Sequence, residues 1–178
     1  MGRRIGRSVG SGKLDLVLVV DVSESMSDEI RYIAGHLGWM LKGIAERGID
    51  LRVIVVRFRH GRIYALLRRE IVISKPMVDP SEVIKLLRSI KCRGDERALD
   101  ALWRAAEEIE FRPGADRWFV FVTDEAVSGE RRPYEVLDLI RRKGIRVYVI
   151  GLNEPFQKAL ARLTGGEWRP IWKVVNYE

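Results

Sequence analysis

Apolar positions along this chain switch between two spacings. Residues 14–20 form a short run of Leu, Val and one Asp, rich in β-branched side chains, which predicts a fully buried strand. Ser27-Asp28-Glu29 then reads as a helix start, a capping residue followed by acids in the first turn. Ile30, Ile33, Ala34, Leu37, Leu41, Ile44 and Ala45 keep helical spacing, and Gly48 closes the stripe. Residues 51–58 and 63–73 return to strand character. Only Arg59-His60-Gly61-Arg62 separates them, which predicts an antiparallel hairpin turning at those four residues.

The second half continues the alternation. Pro80-Ser81 opens a short helix through Leu87, and Leu99, Leu102, Ala106 and Ile109 mark another over residues 96–109. Residues 118–123 read as a buried strand, 131–143 as a helix closed by Gly144, and 145–150 as a fifth strand. Residues 155–163 read as a helix, Gly165-Gly166 as a turn, and 171–175 as a last strand. Strands alternating with helices predict βαβ units and a mainly parallel sheet.

At 178 residues the chain has the length of one domain. That domain is expected over 14–178, after a flexible basic arm of Gly, Ser and Arg over 1–13. The arm contains Gly10-Ser11-Gly12-Lys13, but a phosphate loop would need Gly at Arg7, Ser or Thr at Leu14, and a preceding strand. No apolar run approaches the roughly 18 residues of a membrane span, and no signal-peptide core follows Met1, so no membrane association is expected. Cys92 is the only cysteine, which excludes an internal disulfide framework and a zinc cluster and points to the cytoplasm. Asn occurs only at 153 and 176 and Gln only at 157, a composition that suits a thermophile. The net charge of +7 permits attraction to nucleic acid or acidic proteins, although acids and bases interleave through most of the chain.

The chemistry concentrates where the first strand should end. Asp21, Ser23 and Ser25 place three oxygen donors at alternating positions on a strand-to-helix turn. One cap needs one such residue, and Ser27 is better placed to supply it. Hard oxygen donors suit Mg²⁺ or Mn²⁺ and not zinc.

Residues 14–26 resemble the opening of a von Willebrand factor A (vWA) domain, whose metal-ion-dependent adhesion site, or MIDAS, uses an Asp-x-Ser-x-Ser motif. The resemblance covers about residues 14–175. It implies an α/β, Rossmann-like doubly wound sheet, mostly parallel with one antiparallel edge strand and helices on both faces. It also implies a divalent cation held by three loops at the carboxyl ends of the strands. The third loop matches through Asp124, an acid at the end of the apolar run Phe119-Val-Phe-Val-Thr. The second loop departs from the family. Cys92-Arg93-Gly94-Asp95-Glu96-Arg97 has no Thr after its Gly, and Asp95, with Glu96 as alternative, stands in the slot. A carboxylate there tightens the ion and weakens its pull on an incoming acid. Alternatively Asp95 caps the following helix, and water replaces it on the ion.

The function so implied is a divalent-cation-dependent protein-interaction module, with Mg²⁺ or Mn²⁺ completed by an acidic residue of a partner protein. Arg59, His60, Arg62, Arg93, Arg97 and Arg131 are expected to form a positive rim that steers such a partner. Stand-alone prokaryotic members of the family imply service to an AAA+ ATPase complex. The alternative is nucleic-acid binding through the basic surface, which lacks any aromatic-basic motif. A metal-dependent phosphohydrolase ranks last, because the motif lacks the second carboxylate two residues on and no second ion is evident. No catalytic residue and no small-molecule substrate are expected. Trp39, Trp103, Trp118 and Trp172 are expected to pack on the sheet, and Cys92 to be a small buried hydrophobe.

Overall fold

The computed structural model describes residues 9–63, 66–91 and 97–171. Among the described residues six strands lie in one sheet: β1 (Lys13–Asp21), β2 (Asp50–Ile63), β3 (Leu66–Ile73), β4 (Asp116–Val122), β5 (Ile145–Gly151) and β6 (Trp168–Pro170). Their order is β3-β2-β1-β4-β5-β6. Every neighbouring pair is parallel except β2 and β3. The α-helices among the described residues are α1 (Ser27–Ala45), α2 (Pro80–Ser89), α3 (Ala98–Glu108), α4 (Pro133–Arg142) and α5 (Pro155–Leu163). This is the doubly wound, mostly parallel α/β sheet with an antiparallel edge.

The continuous apolar run in β1 follows from burial on both faces. Leu14, Leu16, Leu18 and Val20 pack with Ile33, Leu37 and Leu41 of α1 and with Val83 and Leu87 of α2. Val17 and Val19 face the other way, toward Leu102 and Ala105 of α3, Val136 and Ile140 of α4, and Leu160 of α5. Small residues on α3, including Ala98, Ala101, Ala105 and Ala106, are fully buried. They let that helix approach the middle of the sheet. Gly48 takes φ 72° just past α1, the left-handed conformation that ends a helix without a Cβ clash.

The sheet also positions the site. The chain leaves β1 for β2 on one side, while β4 lies on the other. That reversal opens a crevice beyond the carboxyl ends of β1 and β4, where open α/β sheets bind ligands.

Several local expectations are corrected. Arg59, His60, Gly61 and Arg62 are ladder residues, not a turn: they pair with Glu70, Arg69, Arg68 and Leu67. Two strands crossing side by side keep pairing through polar positions, because strand formation depends on neighbours more than on polarity. Of the strand expected over 171–175 only residue 171 is described, and the last strand among the described residues is Trp168–Pro170. It is fixed by the ladder to β5 and by Trp168 Nε1 donating to the Leu152 carbonyl at 2.9 Å. Ser27 is the first residue of α1, and Met26 takes the N-cap position, after a 3-10 turn over Glu24–Met26. Residues 1–8 of the expected basic arm lie outside the described residues; after them Val9 packs on the core and Ser11 donates from N and Oγ to Asp116 Oδ2 at 3.1 and 3.0 Å. Trp39 is 85% exposed, whereas Trp118 is buried at 2%. Cys92 and Trp172 lie outside the described residues.

Candidate metal centre

Asp21 ends β1, paired with Phe58 of β2, and is fully buried. Its Oδ1 accepts from the Ser23 amide at 2.7 Å, a tight turn that an Asp makes with the backbone two residues on. Its Oδ2 accepts from Thr123 Oγ1 at 3.1 Å. Ser23 is buried, Ser25 is exposed, and their hydroxyls lie 3.1 Å apart. Asp124 follows one residue after Thr123 at the end of β4 and shares a hydrogen bond with Ser25. Asp21, Ser23, Ser25 and Asp124 are therefore linked in one cluster at the crevice.

The electrostatics of the cluster call for positive charge. Burial is the main force holding the Asp124 carboxyl above its ordinary pKa, and the Asp21 and Glu125 charges add to it. The Ser25 hydrogen bond works in the opposite direction. Asp124 Oδ1 is buried and has no hydrogen-bond partner. A buried acceptor left this way is costly, and a cation would satisfy it. Two carboxylates and two hydroxyls are a donor set that fits a small, hard dication. Among the described residues no group of three or more His, Cys, Asp or Glu that could hold a metal ion comes together.

The other expected site residues are placed unevenly. Arg93, Asp95 and Glu96 lie outside the described residues, as do the side chains of Arg59, His60 and Arg62. Arg97 Nη1 sits 3.5 Å from Asp100 Oδ2 and 3.2 Å from Glu130 Oε1. The Arg131 guanidinium lies over the Trp103 ring, 4.2 Å from its centre. Both arginines are thus engaged within the protein.

Three residues of this region were not found from the sequence. Thr123 fixes the Asp21 carboxylate, and its place just before the strand-end acid was the available signal. Gln157, fully buried on α5, donates from Nε2 to the Glu125 carbonyl at 2.8 Å and holds the third loop. Asp100 accepts from the Glu130 and Arg131 amides. No spacing distinguishes the last two from ordinary helix residues.

No curated protein matches the sequence. Among solved structures, proximal thread matrix protein 1 from the mussel byssus superposes with TM-score 0.70 and 13% identity, over 90% of this chain and 44% of that one. A second structure of that protein, with a zinc-occupied MIDAS motif, gives TM-score 0.71 and 14% identity over 91% and 45%. This chain thus spans less than half the length of the mussel structures. An aerotolerance-related membrane protein from Bacteroides fragilis, with multiple mutations to serines, gives TM-score 0.64 and 16% identity over 88% and 90%. At such identities the likeness is one of fold. No described helix of this chain is long and apolar enough to cross a membrane. The model of the von Willebrand factor type A domain matches residues 15–176, and the chain belongs to that family.

Proposed function

We propose that Asp21, Ser23, Ser25 and Asp124 hold one Mg²⁺ or Mn²⁺ ion, with Asp95 or Glu96 contributing from the second loop. The domain is then a cation-dependent protein-interaction module. A partner's Asp or Glu completes the ion's coordination through a charge-assisted bond. The observation that carries this reading is the buried, unpartnered Asp124 Oδ1 beside a second carboxylate and two hydroxyls. A fold neighbour holds zinc at a motif of the same kind. The all-oxygen donor set here favours a harder ion.

The reading assigns no catalytic residue. Arg59, His60, Arg62 and Arg93 supply its positive rim, since Arg97 and Arg131 already face Asp100, Glu130 and Trp103. A cytoplasmic place beside an AAA+ ATPase belongs to the same proposal.

Calorimetric titration of Mg²⁺ into wild type and Asp21→Ala tests the site. Wild type should bind one ion and the variant none, with the fold retained. Equal affinity in the two proteins would place the ion elsewhere. A partner captured in Mg²⁺ and released by EDTA then tests the function. The net charge of +7 supports a second reading, nucleic-acid binding. Its mark would be binding that survives EDTA and falls steeply with salt.

A further inference from the structure

The N-terminus of α3 is capped from a distant part of the chain. Its N-cap residue, Arg97, makes no side-chain capping bond. Instead the Leu99 amide donates to the Ser128 carbonyl at 2.9 Å. In return the Asp100 carboxylate accepts from the Glu130 amide at 3.1 and 3.2 Å and from the Arg131 amide at 3.1 Å. This is the reciprocity of a capping box, built between two segments rather than within one.

Three further contacts close the same seam. Arg97 bridges Asp100 and Glu130. One turn along α3, Trp103 carries the Arg131 guanidinium on its face. Gly129 passes so close that a Cβ would stand 2.9 Å from Leu99 Cβ, and its φ of 151° is itself one that side chains rarely adopt.

Both segments continue directly, in the chain, from loops assigned to the candidate ion site. Residues 128–131 are the continuation of the loop that carries Asp124, and α3 begins directly after the second loop at residues 92–96. From this geometry we infer that Asp100 is a positioning residue. It clamps the third loop onto α3 and so holds Asp124 at the distance from β1 that the ion requires. The inference rests on the metal-site reading above. Outer partners that orient a ligand typically carry a 10–100-fold share of metal affinity.

The test combines Mg²⁺ calorimetry with hydrogen exchange of the metal-free protein, on wild type, Asp100→Ala, Asp100→Asn and Gly129→Ala. None of these is a proposed ligand. Asp100→Ala should speed exchange at the Glu130 and Arg131 amides, leave the strands protected, and weaken Mg²⁺ about tenfold. Asp100→Asn should recover most of that loss, because its remaining oxygen can still accept the Arg131 amide. Gly129→Ala opens the seam from the loop side and should act like Asp100→Ala, which keeps the test alive if that variant fails to fold. Wild-type Mg²⁺ affinity in Asp100→Ala, or unchanged exchange at the two amides, overturns the clamp alone. A wild type that binds no Mg²⁺ overturns the site reading and the clamp's role with it.

Discussion

Thr123 Oγ1 donates to Asp21 Oδ2 at 3.1 Å, joining residues 102 positions apart in the chain. The bond lies one step past the last β1–β4 ladder pair, Val20 with Val122. Together with the Ser23 amide on Oδ1, it fixes both oxygens of a buried carboxylate. Thr123→Val keeps the shape and removes the donor. Hydrogen bonds to charged groups contribute about 1.5–3 kcal/mol, and stranding the buried partner adds to the loss. Urea denaturation in EDTA should show a loss of about 2 kcal/mol in the Val variant and little in Thr123→Ser. Mg²⁺ affinity should fall in parallel, and a Val variant that matches wild type in both would show the bond to be idle.

Asp124 should behave in the opposite sense. Its charged form is resisted first by burial and then by Asp21 and Glu125. Asp124→Asn removes that charge, so at neutral pH the metal-free protein should melt at a higher temperature than wild type. Adding Mg²⁺ should raise the melting temperature of wild type and leave the variant nearly unmoved, as binding to the native state alone requires. A variant that loses stability in EDTA would identify Asp124 as an ordinary structural acid.

How far the sequence carried can be seen at these residues. Asp21, Ser23, Ser25 and Asp124 were legible because each sits where an apolar strand gives out, and strand ends can be read from hydrophobic pattern. The order of strands and helices was legible for the same reason. Pairing was not. Arg59 to Arg62 carry turn-like chemistry, yet the antiparallel partner strand continues opposite them to Leu66. Whether a polar stretch turns or keeps pairing is decided by the neighbouring strand, which no local window contains. Asp100 was invisible on the same ground, because its partners are backbone amides 30 and 31 residues away.

The two tryptophans show that residue type alone does not settle burial. Trp118 lies in β4 with its ring 4.9 Å from that of Tyr148, whereas Trp39 stands out from α1 at 85% exposure. Trp118→Ala should cost about 3–5 kcal/mol. Trp39→Ala should stay within about 0.5 kcal/mol of wild type. Denaturation curves of the two variants would separate them at once. A costly Trp39 variant would mean that something covers that face of α1.

Asp79 offers a pH test remote from the crevice. Its Oδ1 accepts the Ser81 amide at 2.8 Å and caps α2. Hydrogen bonds from Ser81 hold its carboxyl below the ordinary value. A depressed carboxyl stabilises the fold above its unfolded pKa and stops doing so as pH falls through the folded value. Asp79→Ala should therefore melt below wild type at neutral pH, and the gap should close in strong acid. Asp79→Asn keeps an acceptor but loses the same titration, so its gap should be smaller at neutral pH and move with pH by the same amount, leaving the variant above wild type in strong acid.

At the amino end of β1, far along the strand from Asp21, Asp15 is 1% exposed and holds two guanidinium groups. Arg52 donates from Nε and Nη2 at 3.1 and 2.7 Å, and Arg112 from its amide and Nε at 2.7 Å each. Arg112 also reaches Asp50 Oδ1 and the Leu14 and Asp50 carbonyls, binding the segment before β4 to β1 and β2. Removing one member of a buried charge cluster strands the others, at about 3–5 kcal/mol. Asp15→Ala should approach that cost, because both arginines lose their shared acceptor. Arg52→Met should cost less, since Arg112 still gives Asp15 two bonds. Neither change alters the Asp21–Thr123 contact, so Mg²⁺ affinity measured well below the melting temperature should stay at the wild-type value. Stability lost with affinity kept would separate the two ends of β1, one for cohesion and one for the ion. An affinity that fell with stability would instead make the whole strand a single unit.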